Sequence, residues 1–153
     1  MPNISSDQIK ELRERTNLSI MQCKKALEES DGDMEKALKH LATQGASIAE
    51  KKSTRELKAG VISSYVHSTK TVGAMLELNC ETDFVAKNEE FVTLGYEIAM
   101  HVAAMKPADV AELLIQPFIK DPSKTIGDMV TEAVQKFGEN TAIRRFTVFS
   151  VKE

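Results

Sequence analysis

The sequence is poor in the residues that mark several classes of protein. It has no tryptophan, aromatic residues make up only 5%, and glycine and proline number 7 and 4. So little glycine and proline excludes a collagen-like or low-complexity chain. Every apolar run is shorter than the roughly 18–20 residues that cross a bilayer. We therefore expect no membrane span, and a core built mainly from aliphatic residues and methionine.

Cysteine and positive charge are also limited. Cys23 and Cys80 lie far apart and form no CxxC pair, so neither a zinc site nor a disulfide framework is predicted. We expect both to be small apolar residues on packed faces. The formal net charge of −3 argues against nucleic-acid binding, which needs clustered lysine and arginine. Because the N-terminus has no signal or transit pattern, we expect a cytoplasmic protein.

Three short helices are predicted in residues 1–45. Ser5 and Ser19 are each followed three residues later by glutamine, which is the spacing of a capping box. Asp33 is placed to cap the third helix, whose apolar residues recur at the spacing of a buried face. Gly45 is expected to end that helix. The first part of the chain is therefore predicted to be a small helical bundle.

Beyond the bundle, the sequence predicts a connecting helix and then changes its periodicity. Apolar and polar residues alternate in three runs, as in strands of an antiparallel sheet that buries one face. These runs cover residues 61–67, 72–80 and 143–151. Helical patterns separate the second run from the third, so the predicted fold class is α+β, an antiparallel three-stranded sheet packed with helices. The expected domains are a three-helix bundle, a linker helix and an α+β core, over residues 1–45, 46–59 and 60–153.

The usual motifs of catalysis and cofactor binding do not occur. The sequence contains no phosphate-binding loop, no dinucleotide-binding turn, and neither the zinc-protease nor the serine-hydrolase motif. His40, His67 and His101 lack a second ligand three or four residues away, so we expect them on helix surfaces or strands. We predict no active site, no metal site and no cofactor.

The most informative stretch is residues 79–88, NCETDFVAKN, which links a predicted buried strand to a helix. Phe84 stands in this short polar turn, outside the apolar stripes on both sides. The pattern alone leaves two interpretations open. The ring either folds back as a local anchor, or it is exposed and binds a partner, because rigid aromatic side chains carry much of the energy of protein interfaces.

Four groups of residues carry a resemblance to a known family. They are NCETDFV at residues 79–85, LRERT and MQCKKAL at 12–16 and 21–27, IAMHVAA at 98–104, and QPF, GEN and RRF at 116–118, 138–140 and 144–146. Together they resemble bacterial elongation factor Ts, the nucleotide-exchange factor for elongation factor Tu. The resemblance implies a guanine nucleotide exchange factor that promotes GDP release during translation elongation. It also implies an N-terminal bundle similar to ubiquitin-associated domains.

The resemblance implies particular contacts with elongation factor Tu. Four consecutive residues are expected to contact the partner and disturb its Mg²⁺ site: Thr82, Asp83, Phe84 and Val85. In the family, the aromatic residue inserts between helices of the partner's GTPase domain. Positions on the N-terminal bundle are expected to bind another helix of that domain: Arg13, Ile20 and Met21. A weaker assignment places Tyr65 and His67 against another domain of the partner.

The chain departs from the family between Met105 and Gln116. Family members usually carry a helical insertion of tens of residues there, and longer relatives have two similar α/β halves. This chain has room for one half only.

Two other classes of function compete with nucleotide exchange. A three-helix bundle is also found in ubiquitin-associated adaptors, but that function leaves the turn around Phe84 unexplained. A small RNA-binding protein is suggested by the basic pairs at 51–52 and 144–145, but the second half of the chain is acidic.

We also predict a homodimer. A sheet of three strands leaves exposed edges and faces. The longer relatives, which have two α/β halves, cover this surface within one chain. A chain with one half can cover them by pairing symmetrically. The last strand favours pairing because Phe146 and Val148 alternate with Phe149, which places apolar groups on both faces.

Overall fold

The computed structural model describes residues 3–152 of the chain. The helices are α1 Ser6–Thr16, α2 Ile20–Glu29, α3 Met34–Lys52, α4 Asp83–Ala86, α5 Glu89–Met105, α6 Val110–Ile115 and α7 Ile126–Phe137. The strands are β1 Ala59–Val66, β2 Val72–Cys80, β3 Pro117–Phe118, β4 Asp121–Thr125 and β5 Ala142–Ser150. None of the helices in this range is long and apolar enough to span a membrane.

The first three helices begin where the capping residues predict. Ser5 and Ser19 both form complete capping boxes, and the Asp33 carboxylate accepts a hydrogen bond from the Lys36 backbone N–H. The inward side chains of these helices form a separate hydrophobic cluster, made of Leu12, Leu18, Cys23, Ala26, Leu27, Ala37 and Leu41. The predicted bundle and the packed position of Cys23 are confirmed.

The prediction that Gly45 ends the third helix is wrong. Helix α3 continues through Gly45 to Lys52, so the predicted linker helix is continuous with it. A β-carbon at Gly45 would lie 2.7 Å from Gln135 Oε1, which shows that the glycine allows close contact with α7. Ser53 is the C-cap of the helix, and its hydroxyl donates a hydrogen bond to the Glu50 carbonyl.

The three long strands form an antiparallel sheet in the order β1-β2-β5, which confirms the predicted α+β fold. Ser63 pairs with Leu76, and Leu76 pairs with Phe146, so these residues share one face. Helix α5 covers that face closely, because a β-carbon at Gly95 would lie 2.2 Å from Ser63 Oγ. Cys80 lies fully buried in this core, as the sequence predicts.

The opposite face of the sheet is exposed. Its apolar side chains are Ile62, Val66, Met75 and Phe149, which we call the open face. At the other end of the same face, the Glu77 carboxylate lies 2.9 Å from Arg145 Nε.

The short hairpin β3–β4 is not predicted from the sequence, and it explains a wrong expectation for His101. This histidine lies on α5 but is fully buried, not on the helix surface. Its Nδ1 accepts a hydrogen bond from the Ile119 backbone N–H at 3.3 Å, and its Nε2 lies 2.9 Å from Gln116 Oε1. His101 therefore fastens the hairpin to α5.

Candidate functional site

The turn around Phe84 places one large apolar side chain in solvent. Helix α4 is a single turn that begins at Thr82, whose hydroxyl accepts a hydrogen bond from the Val85 backbone N–H at 3.4 Å. Val85 and Ala86 point into the core and are buried. Phe84, between them and Asp83, is 90% exposed. This exposure excludes the interpretation of Phe84 as a local anchor.

The residues of the turn divide into two groups. Thr82, Asp83 and Phe84 are exposed, so their side chains are accessible to a partner. The side chain of Val85 is buried and anchors the turn from below. The resemblance implies contacts by all four residues, since a match in sequence does not tell which way each side chain points.

A polar cavity lies next to the turn. Its volume is about 420 Å³, and its lining includes Lys58, Glu77, Asn79, Asp83 and Arg144. The cavity continues the surface of the turn along the start of β1. The cavity beside the turn therefore presents charged groups of both signs.

A second exposed surface lies at the junction of α1 and α2. Met21 is 80% exposed and Ile20 is 55% exposed, although both are in the first turn of α2. Arg13 is exposed in the last turn of α1. Ile20 and Met21 are consecutive and both exposed, and an exposed apolar patch is typical of an interaction site.

Tyr65 and His67 offer less free surface. Both are partly buried, and the Tyr65 ring packs edge-on against Tyr96 and His67 with ring centroids 5.8 and 6.3 Å apart. His67 Nδ1 accepts a hydrogen bond from the Thr69 backbone N–H at 3.3 Å. These contacts already account for much of both side chains.

Glu139 belongs to the site, although no sequence motif indicates a role for it. This residue follows α7, yet its Oε2 accepts a hydrogen bond from the Thr82 hydroxyl at 2.7 Å. The available signal was the GEN segment at residues 138–140, which belongs to the resemblance but has no chemistry that the spacing alone would reveal. A contact between residues so far apart in sequence becomes visible only in the fold.

The titratable groups do not form a metal site. Within residues 3–152, no group of three or more His, Cys, Asp or Glu side chains is arranged to hold a metal ion. Burial raises the pKa of both the Cys23 and the Cys80 thiols, so both stay protonated at neutral pH.

An exposed aromatic side chain, on a turn that buried residues and hydrogen bonds hold in place, is typical of a protein-binding surface. The family model for elongation factor Ts matches residues 81–153. The chain is 44% identical to elongation factor Ts of Thermodesulfovibrio yellowstonii, covering 97% of this chain and 96% of that protein. It is 42% identical to elongation factor Ts of Thermosipho melanesiensis, covering 98% and 100%.

The chain belongs to the elongation factor Ts family, and its role is that of a translation elongation factor. The alignment with the Thermodesulfovibrio protein extends over 192 residues, more than the 153 of this chain. The relative therefore carries residues that this chain lacks, in agreement with the predicted loss of an insertion.

Proposed function

We propose that this protein is a guanine nucleotide exchange factor that accelerates GDP release from elongation factor Tu. The observation that carries the proposal is Phe84, a large apolar side chain held in solvent although the next two residues, Val85 and Ala86, are buried. Such a side chain is expected to insert into a partner. Under this proposal the protein acts in the cytoplasm, makes no covalent bond and needs no cofactor.

The proposed mechanism is thermodynamic linkage. A nucleotide that binds with nanomolar affinity is held by about 12 kcal/mol, so its spontaneous release is slow. A factor that binds the nucleotide-free conformation more tightly shifts the partner toward that conformation. By reciprocity, the nucleotide must weaken the binding of the factor by the same ratio.

The two exposed surfaces have different tasks in this proposal. Phe84, with Asp83 beside it, inserts into the GTPase domain of the partner and disturbs its Mg²⁺ and phosphate site. Arg13, Ile20 and Met21 bind another helix of that domain and keep the complex together. Tyr65 and His67 make a smaller contribution, because intramolecular contacts already occupy much of their surface.

The charges of the sheet argue against RNA binding. Arg145 Nε lies 2.9 Å from Glu77 Oε1, and Arg144 Nη1 lies 3.7 Å from Glu77 Oε2. The positive charge of this pair is therefore partly neutralised, whereas phosphate binding needs unpaired cations. A ubiquitin-associated adaptor would use the N-terminal bundle and give no role to Phe84.

The test is the release of fluorescent GDP from elongation factor Tu, with and without this protein at micromolar concentration. We expect release to accelerate with wild-type protein and with Ile115→Ala, which removes an exposed apolar side chain from α6. Release at the spontaneous rate in the presence of folded wild-type protein would contradict the proposal.

We also propose that two copies of the chain pair through the open face. The helices cover only the other face of the sheet, which leaves Ile62, Val66, Met75 and Phe149 exposed. A two-fold axis through this face brings identical apolar patches together and buries them. The dimer would present two exchange sites.

A further inference from the structure

The Phe84 turn is bound to the segment that follows α7. Glu139 Oε1 accepts hydrogen bonds from two consecutive backbone N–H groups, Glu81 at 3.1 Å and Thr82 at 3.0 Å. Glu139 Oε2 accepts a third bond from the Thr82 hydroxyl at 2.7 Å. Hydrogen bonds to an ionised carboxylate are stronger than those between neutral groups. One side chain thus holds the start of the turn.

Glu81, at the start of the turn, also binds the segment that follows α7. Its Oε1 accepts a hydrogen bond from the Asn140 backbone N–H at 2.8 Å, so two carboxylates cross between the segments. Two like charges at such a junction would repel each other. Arg55 supplies the opposite charge, with its Nη1 3.7 Å from Glu81 Oε1.

The same segment also binds the end of α3. Lys52 Nζ donates a hydrogen bond to the Gly138 carbonyl at 2.7 Å, and Asn140 Nδ2 donates to the Arg55 carbonyl at 2.8 Å. Gly138 itself has φ 72°, a conformation that favours glycine and turns the chain toward these groups. The C-terminal end of α3 and the Phe84 turn are therefore held by one segment.

The turn needs this support from outside. Helix α4 has four residues, too few to be stable alone. Phe84 is 90% exposed, so packing of its own ring does not fix its direction. The backbone on either side must do so, through the buried Val85 on one side and the Glu139 bonds on the other.

We propose that Glu139 is a positioning residue for Phe84: its carboxylate holds the turn in the conformation that projects the ring. This inference rests on the proposed function. It adds Glu139, which supports that function without belonging to the exposed residues expected to contact the partner. When a binding-competent conformation is populated only in part, the effect of the group it carries falls by that fraction. Loss of the carboxylate should therefore act through Phe84 and not through the N-terminal bundle.

The experiment compares Glu139→Ala and Glu139→Gln with a control, Glu112→Ala. The Glu112 carboxylate also accepts a backbone N–H bond, from Ala108, but far along the chain from the turn. The maximal rate of GDP release and the half-saturating factor concentration are measured separately. We expect Glu139→Ala to lower the maximal rate about tenfold, because the conformation that projects Phe84 becomes less populated. Half-saturation should change by less than about twofold, because under the proposed function the N-terminal bundle keeps the complex together. Glu139→Gln, whose amide oxygen still accepts both backbone bonds, should restore most of the rate.

A double variant tests whether the effect passes through the ring. If Glu139 acts by positioning Phe84, then Phe84→Ala with Glu139→Ala should lose no more activity than Phe84→Ala alone. Losses that multiply in the double variant would overturn the inference. So would full activity of Glu139→Ala in an assay in which Phe84→Ala is inactive, a result that leaves the proposed function intact.

Amide hydrogen exchange tests, without the partner, whether the Glu139 carboxylate holds the turn. Exchange at the Glu81 and Thr82 N–H groups should become at least about tenfold faster in Glu139→Ala and stay unchanged in Glu112→Ala. Unchanged exchange at both amides would overturn the inference. If wild-type protein fails to accelerate GDP release from elongation factor Tu, the proposed function fails. The exchange measurement still decides whether Glu139 holds the turn.

Discussion

Phe84 is the residue on which the proposed activity depends most. The Phe84 ring makes little contribution to the core, because it is almost fully exposed. The buried residues of α4 are Val85 and Ala86. An aromatic side chain kept in water gives the folded protein no burial energy. Its contribution to free energy therefore comes when a partner covers it.

We predict that Phe84→Ala removes most of the exchange activity and leaves the melting temperature nearly unchanged. Truncation of a central aromatic anchor typically costs about 2–4 kcal/mol, and under the proposed function this loss falls on the state in which the inserted ring displaces the nucleotide. The assay is fluorescent GDP release beside thermal unfolding, with Ile115→Ala as the control for an exposed apolar residue. A lower melting temperature with normal exchange would contradict the prediction.

The residues of the N-terminal surface should affect the lifetime of the complex. We predict that Arg13→Ala or Met21→Ala weakens association about tenfold, mainly through faster dissociation, because related interfaces differ chiefly in that rate. Dissociation of the factor from elongation factor Tu is followed by stopped flow. Val92→Ala, an exposed residue of α5, is the control. Unchanged affinity in both variants would remove the bundle from the contact surface.

At the scale of elements, the β3–β4 hairpin depends on a neutral histidine. His101 Nδ1 accepts the Ile119 N–H, so Nε2 carries the proton and donates to Gln116 Oε1. Burial lowers the pKa of His101, which keeps the ring uncharged in the folded state. Unfolding exposes the ring to water, where it titrates near 6.5.

The stability of this element should decrease in acid. Above about pH 6.5 both states hold a neutral ring. Below it, the unfolded state binds a proton that the folded state does not, so the free energy of unfolding falls, by at most about 1.4 kcal/mol per pH unit. We predict that His101→Gln reduces this dependence between pH 7.5 and 5.5, as measured by chemical denaturation. Equal pH dependence in wild type and His101→Gln would contradict the prediction.

The long elements could be predicted from the sequence, and the short β3–β4 hairpin could not. Capping residues such as Ser5, Ser19 and Thr125 begin helices because their side chains act on adjacent N–H groups, so the signal is local. The β3–β4 hairpin is short and polar and has no periodicity. Of the candidate site, the sequence indicates which turn matters. The exposure of Phe84 and the Glu139 bonds depend on tertiary contacts, which no local pattern contains.

At the scale of the whole molecule, one face of the sheet is covered and the other is not. The division into domains at residues 1–45, 46–59 and 60–153 stays a prediction, and so does the homodimer. We expect a second copy to cover the open face by symmetry, because each copy has the same exposed apolar side chains to bury.

We predict a dimer at tens of micromolar, which Phe149→Asp converts to monomer because pairing would bury the new charge. Ile115→Asp, which places the same charge on α6, should remain dimeric. Sedimentation equilibrium measures the mass. A single wild-type species near 16.9 kDa, the mass of one chain, would contradict the dimer.

The central claim, that this protein favours the nucleotide-free conformation of elongation factor Tu, is tested most directly by titration calorimetry. The affinity of the protein is measured for nucleotide-free elongation factor Tu and again in the presence of saturating GDP. Because linkage is reciprocal, we predict that GDP weakens binding by at least about 1.4 kcal/mol, or tenfold. Equal affinity in the two titrations would contradict the account, since a factor that binds both conformations equally does not weaken the binding of the nucleotide.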